Sequence, residues 1–375
     1  MSPPDVVPGT ELFLTLRFTL ADDTPWAKAG HEVAAAQFPM TFPAPASSTL
    51  RQAQRPLIER AKLPVLTLEQ TDSEATIRGD DFQITYDKIN GQISSWRYND
   101  VELIAAGPLL NVWRAPTDND GIKLDDERDQ LLDEWLKAGL HELRHEVEEL
   151  AMEQPAPQKI IIRTRARAVS ERAPAALEYE QTLTIFGDGQ VLLDNHIVAH
   201  HGLPPLPRIG LTLSLPAGFE HLTWFGRGPF ENYRDRNSGA LVGKYRSTVS
   251  EQYVPYILPQ EHGNKTDVRW VALANDAGAG LLATGIPAME MSAGHYTAHD
   301  LFAAAHTHEL TPRAETFLNL DLQQMGLGSA SCGPATLPPY IIAPGAYSFS
   351  VRLRPFTRDD PSPAQLARTA LPKEL

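Results

Sequence analysis

Residues 11–18, ELFLTLRF, alternate between apolar and polar positions, with Leu12, Leu14, Leu16 and Phe18 on one side. Side chains of a strand repeat with a period of two, so the run predicts a strand with one apolar face. A turn-rich stretch, ADDTPWAKAG, leads to a second strand-like run, HEVAAAQFPM. The next stretch, TFPAPASSTLRQAQRPLIERAKLP, is rich in Pro, Ser, Ala and charge and reads as a linker. An immunoglobulin-type sandwich needs about seven strands, and this opening segment offers only a few. It is therefore expected to be part of a domain, with an apolar sheet face wanting a partner.

From residue 65 the pattern becomes continuously β. DFQITYDKINGQISSWRYND reads as a hairpin, with Phe82, Ile84 and Tyr86 alternating and Asn90-Gly91 at the turn. Further strand patterns are KIIIRTRARAV, YEQTLTIFG, GQVLLDNHIV, RIGLTLSLP, HLTWFGRG, VRWVALAND, GAGLLATGI, TFLNLDLQQ and YSFSVRLRPF. Many short strands separated by Gly, Pro or Asp-Gly predict a sandwich or barrel. One good helix interrupts them, around 124–138: Asp125, Asp126 and Glu127 open it, Leu132, Trp135 and Leu136 form its stripe, and Gly139 is its C′ residue. Residues 357–375 are polar and Pro-interrupted and read as a tail.

Composition adds boundaries. The chain has 375 residues, 42% hydrophobic and 21% charged, which fits two or three globular domains rather than disorder. The 31 prolines and 25 glycines agree with many turns. A net charge of −14 argues against a nucleic-acid partner, which needs a basic footprint. The single cysteine, Cys332, precludes an intrachain disulfide and suits a reducing compartment. MSPPDVVPGTELF lacks the pattern of a signal peptide and no apolar run is long enough for a membrane helix, so a cytoplasmic location without a membrane partner is expected.

Three polar clusters break the β pattern: NVWRAPTDNDG from Asn111, WFGRGPFENYRDR from Trp224 and YILPQEHGNKTDVRW from Tyr256. Each mixes aromatic rings with planar hydrogen-bonding groups, the mixture that sugar recognition uses. Arg114, Asn119, Asp120, Glu261, His262 and Asn264 are the candidates for a polar groove. The same motifs also build turns, and Arg–Asp pairs commonly hold loops together. His200-His201 and His306-Thr307-His308 lack a third ligand or helical spacing, so no metal site is expected. No phosphate loop, nucleophile elbow or zinc cysteine set occurs, and no basic neighbour activates Cys332.

In this order, NVWRAPTDND, DEWLKAGL, WFGRGPFENYRDR, YVPYILPQEHGNKTDVRW and LDLQQMGLGSASCGP resemble the C-terminal domain of LacZ-type β-galactosidases in glycoside hydrolase family 2. The resemblance runs from residue 68 to 356, and PGTELFLTLRF with TPWAKAGHEVAAAQF is similar to the latter part of the preceding immunoglobulin-like domain. It implies an all-β chain: a partial immunoglobulin-like β-sandwich and linker over 1–62, a large antiparallel β-supersandwich of the galactose mutarotase type over 63–356, and the tail. It also implies that the loop Gly326–Pro334 reaches the mouth of a sugar site. Where a family member carries a stacking aromatic, this chain has Cys332 or Gly333, which leaves Ser331, Cys332 and Gly333 a shape-setting role.

Retaining glycosidases need two carboxylates about 5–5.5 Å apart, and in this family both sit in a barrel domain, the acid/base in an Asn-Glu pair. The chain has no Asn-Glu dipeptide and no alternation of strands and helices that would build such a barrel. No catalytic residue is therefore assigned to it. The resemblance implies an accessory chain, a small subunit or a C-terminal fragment, inactive alone, that joins a catalytic large chain to hydrolyse terminal β-D-galactosides such as lactose. Magnesium and a monovalent cation are expected on that partner, and no cofactor here. The alternatives are a sugar-binding or structural remnant, or an aldose 1-epimerase-like enzyme drafting Glu261 and His262. Adjacent strand residues face opposite ways, so that last reading requires the pair to lie in a loop.

Overall fold

The computed structural model describes residues 10–40, 63–121, 130–172 and 177–371, and its regular structure is dominated by antiparallel strands. Strands β1 (Leu12–Thr19) and β2 (Glu32–Met40) pair as a hairpin in the register Leu14↔Phe38, Leu16↔Ala36 and Phe18↔Ala34. Directly paired residues share a face, so the expected apolar row of β1 is joined by Phe38 and Met40. That face is open: Leu14 is 46%, Leu16 43%, Phe18 59% and Phe38 48% exposed. The opposite face sits on the rest of the molecule. Gln37 accepts from the Val242 N–H (2.8 Å) and donates to its carbonyl (2.9 Å), and Glu11 forks onto Arg269 at 2.9 and 2.6 Å.

Strands β3 (Thr67–Gln70), β4 (Glu74–Arg78), β5 (Phe82–Asp87), β6 (Gln92–Tyr98) and β7 (Val101–Ile104) form a meander in chain order. The second, twelve-stranded sheet contains β8 (Ala106–Asn111), β9 (Arg144–Ala156), β10 (Lys159–Val169), β11 (Leu177–Phe186), β12 (Val191–Ala199) and β13 (Arg208–Leu215). It continues with β14 (His221–Gly228), β15 (Leu241–Thr248), β16 (Lys265–Ala274), β17 (Gly280–Gly294), β18 (Thr316–Gln324) and β19 (Ala346–Phe356). Its main path runs β15-β14-β16-β17-β19-β12-β11-β10-β9, and a branch leaves β17 through β18 and β13 to β8.

The fork lies within β17. Gly280–Ile286 pair with β19, whereas Glu290–Gly294 pair with β18. Between them the backbone doubles back so tightly that a Cβ on Gly285 would lie 2.8 Å from the Ala288 carbonyl carbon. A strand that changes partners in this way makes the corner of a sandwich. Ile77, Ile84, Tyr86 and Trp96 of the meander pack in one core with Ile162, Leu183, Leu193 and Val351 of the large sheet. Each such side chain contributes roughly 1.5–3 kcal/mol by leaving water. Tyr86 meets Thr164 across the layers in a buried 2.7 Å hydrogen bond.

Helix α1 (Leu131–Lys137) buries Leu132 and Trp135, and Gly139 follows in the left-handed conformation at φ 65°. Asp125, Asp126 and Glu127 lie outside the described residues. Two short helices join it, α2 (Ala298–Ala303) and α3 (Pro363–Leu366). The second changes the reading of the tail. Leu366 is buried in a small cluster with Trp270 and Phe356, and Arg352 donates to the Leu366, Ala367 and Thr369 carbonyls. Residues 363–369 thus pack against the sheet.

Candidate functional site

The three polar clusters converge. The Asp118 N–H donates to Gln260 (3.1 Å) and the Glu261 N–H to the Ala115 carbonyl (3.2 Å), which ties the first cluster to the third. Gly263 N–H reaches Glu231 at 2.9 Å, and Asn264 donates to the Asn232 carbonyl at 3.0 Å, tying the third to the second.

Within the first cluster Arg114 is 0% exposed. Its guanidinium grips Asp120 at 2.7 and 3.3 Å and donates to the Met325 carbonyl at 2.6 Å. Trp135 lies beneath it, anchored by an indole bond of 2.7 Å to the Pro205 carbonyl. Asp120 also accepts from the Thr117 N–H and hydroxyl. This pair holds two loops in place, and the arginine is too enclosed to reach a ligand. Asn119 works one step further out: it donates to the Gly328 carbonyl (3.0 Å) and accepts from the Ser331 hydroxyl (2.7 Å) and N–H (3.2 Å).

The loop after β18 is therefore pinned at its base and open at its tip. Gly328 has φ 62° and its N–H donates to Asp235 at 2.8 Å. Cys332 N–H bonds to the Ser329 carbonyl at 3.1 Å, while Cys332 and Gly333 are exposed. Beside this loop is a cavity of about 430 Å³ lined by Asp118, Asn119, Gln130, Glu134, Ser331 and Thr336, with apolar Met325 and Pro205. Hydroxyl, amide and carboxylate groups around an apolar floor can bind a sugar.

Glu261 and His262 belong to a different cavity, of about 250 Å³. Residues 259–264 have no regular structure, so the two neighbours line the same space, and the opposite-face objection does not apply. Glu261 accepts from Gln324 at 3.1 Å and lies 3.8 Å from Arg208. Asn264 is 0% exposed and gives its amide to Glu290 at 3.0 Å and Asn232, while its oxygen accepts from Gln324. It is part of the frame. The six groove candidates thus divide: Asn119 and Asp120 line the loop cavity, Glu261 and His262 the second, and Arg114 and Asn264 brace the structure behind them.

Arg208, Asp321, Glu290 and Gln324, outside the three polar clusters, join the network. Arg208 holds Asp321 at 2.6 and 3.2 Å. Burial pushes the Asp321 carboxyl up to about 7, against the pull of Arg208. Burial also raises Glu290, which accepts from Arg234 at 2.8 Å. The available signal is a polar row alternating with an apolar one, as Asn319 and Asp321 alternate with Leu318, Leu320 and Leu322 in TFLNLDLQQ. Among the described residues, no group of three or more His, Cys, Asp or Glu side chains is placed to hold a metal ion. His306 instead bonds to Glu309 at 2.8 Å.

Comparison with known proteins assigns the frame. The family described as "Beta galactosidase small chain" matches residues 78–353, and "Beta-galactosidase, domain 4" matches residues 2–41. A β-galactosidase of Priestia megaterium is 36% identical over 348 residues, 92% of this chain and 32% of its own length. One from Vibrio cholerae is 31% identical over 364 residues, 93% of this chain and 33% of its own. The chain spans about a third of the length of the curated relatives it matches. The solved galactose 1-epimerase of Lactobacillus acidophilus NCFM aligns over 78% of this chain and 99% of its own, with 8% identity and a TM-score of 0.40. By the family match over most of its length, this chain belongs to the β-galactosidase small-chain family.

Proposed function

We propose that the chain is the accessory part of a β-galactosidase that hydrolyses terminal β-D-galactosides such as lactose, and that the catalytic carboxylates lie on a partner polypeptide. The observation that carries this reading is the open face of the β1–β2 hairpin. Its alternation is that of a buried strand, yet Leu14, Leu16, Phe18 and Phe38 stand in solvent. A contiguous apolar face of this kind marks an interaction site. Its proposed occupant is the remaining sheet of the same immunoglobulin-like domain, carried by the catalytic chain. Docking there brings the pinned loop around Ser331, Cys332 and Gly333 to the mouth of the partner's active site. Asn119 fixes the loop, and Ser331 and the backbone at Cys332 set the shape of that mouth. We place the complex in the cytoplasm, where an exposed free thiol such as Cys332 stays reduced.

The test is reconstitution. The chain is co-purified from its native source, and the polypeptide that travels with it is then mixed with pure chain. Hydrolysis of a chromogenic galactoside should require both. A mixture without activity, or a chain that hydrolyses the substrate alone, overturns the proposal.

A further inference from the structure

The cavity at Glu261 and His262 has a polar sheet face for its floor. Strands β13, β17 and β18 alternate strictly there. Leu211, Leu213, Leu318, Leu320 and Met291 point into the core. The other face carries Thr212, Asn319 and Ser292 as one paired row, and Asn111, Gly210, Asp321 and Glu290 as the next. A polar sheet face ordinarily meets open water. Here it is walled in: the same cavity is lined by Trp113 and Tyr296, by the start of α2, and by His262.

The groups at hand define what would fit. Asn319 donates to Ser292 at 3.0 Å, which leaves its amide oxygen as an acceptor on the floor. The His262 ring donates from Nδ1 to the Gln260 carbonyl at 2.9 Å, so Nε2 of the neutral ring is an acceptor. Arg208 stands at one end, already balanced by Asp321 at 2.6 Å and Glu261 at 3.8 Å. An anionic ligand would meet Glu261 and a cationic one Arg208, so the balance favours an uncharged molecule. Aromatic walls with hydroxyl and amide groups suit a ring with apolar faces and equatorial hydroxyls. At about 250 Å³ the space is below the range of roughly 300–1,000 Å³ of drug-sized ligands, and so takes one ring rather than two.

We propose that this pocket binds a single neutral pyranose, at a site separate from the loop cavity. The proposal does not rest on the accessory reading, because every lining group belongs to this chain. The test uses the full chain alone, titrated with D-galactose, lactose and D-galacturonate by calorimetry or ligand-observed NMR. Galactose should bind saturably in the millimolar range, with lactose no tighter and galacturonate weaker. Asn319→Ala and Tyr296→Ala should each weaken galactose at least tenfold with native melting curves, and Ser331→Ala should leave it unchanged. Tyr296 is a half-buried wall residue, so its variant serves even if the floor variant misfolds. Absence of saturable binding to the folded wild type overturns the proposal. So does tighter binding of galacturonate, or a loss caused by Ser331→Ala and not by the other two.

Discussion

At the scale of single residues, enclosure separates the groups that brace the structure from those that can meet a ligand. Arg114 and Asp120 share a buried ion pair whose oxygens also cap Thr117. Removing one member of such a pair strands the other, which typically costs about 3–5 kcal/mol. Arg114→Ala should lose that much in urea denaturation, and amide exchange should speed up around Met325 and Gly328, where its contacts end. His145 gives a pH-dependent counterpart. Burial pushes its imidazole down to about 4, beside a 3.1 Å contact to the Tyr179 hydroxyl. Between the ordinary histidine value of 6.5 and 4, the unfolded chain binds a proton that the folded chain refuses. Stability is therefore full above 6.5 and declines as pH falls through this window, by up to about 3 kcal/mol at 1.36 per unit. Denaturant melts of wild type and His145→Gln at pH 7 and 4.5 check it: the wild type should show the steeper loss. Equal slopes would assign the loss to other groups.

At the scale of elements, strands with a clean period of two were legible. KIIIRTRARAV, HLTWFGRG and TFLNLDLQQ coincide with β10, β14 and β18. Strand β9 was not, because RHEVEELAMEQPA carries charge where a half-buried strand would be apolar. It is an edge strand, and its carboxylates pair with the arginines of β10, as in Arg163–Glu153 (2.8 Å) and Arg167–Glu148 (2.8 Å). Charge on an edge blocks further pairing and erases the hydrophobic signal in the same stroke. The second cavity was hidden for another reason. Its floor is set by register between strands far apart in sequence, which periodicity within one strand cannot reveal. Gly210 exposes that register. A Cβ there would lie 2.0 Å from Asp321 Oδ1, in the row where β13 crosses β18. Gly210→Ala should push Asp321 off Arg208 and cost about 3 kcal/mol or more, from overpacking and a broken buried pair. Thermal melting checks this. Gly202→Ala, where the added methyl meets nothing within 4 Å, is the control.

At the scale of the whole molecule, two requirements pull apart. The described part of residues 63–371 closes its own core through the fork in β17 and the return of α3, and no described hairpin residue belongs to that core. The hairpin is held mainly by polar contacts on one side, Gln37 on Val242 and Glu11 on Arg269, and leaves its apolar side uncovered. A face buried in the folded chain would show its value in the chain's own stability; a face kept for a partner shows it only on association. Leu16→Asp and Phe18→Asp separate these cases. Surface substitutions usually stay within about 0.5 kcal/mol, so both variants should melt with the wild type when the chain is alone. If the proposed partner covers this face, each places a carboxylate in a buried apolar contact, where an unpaired charge costs several kcal/mol, enough to weaken association a hundredfold or more. Half-maximal activity should then need far more of the variant chain, whereas Ile257→Asp, at a position 92% exposed and outside the hairpin, should behave as wild type. Equal potency of all three would remove the hairpin face from the interface.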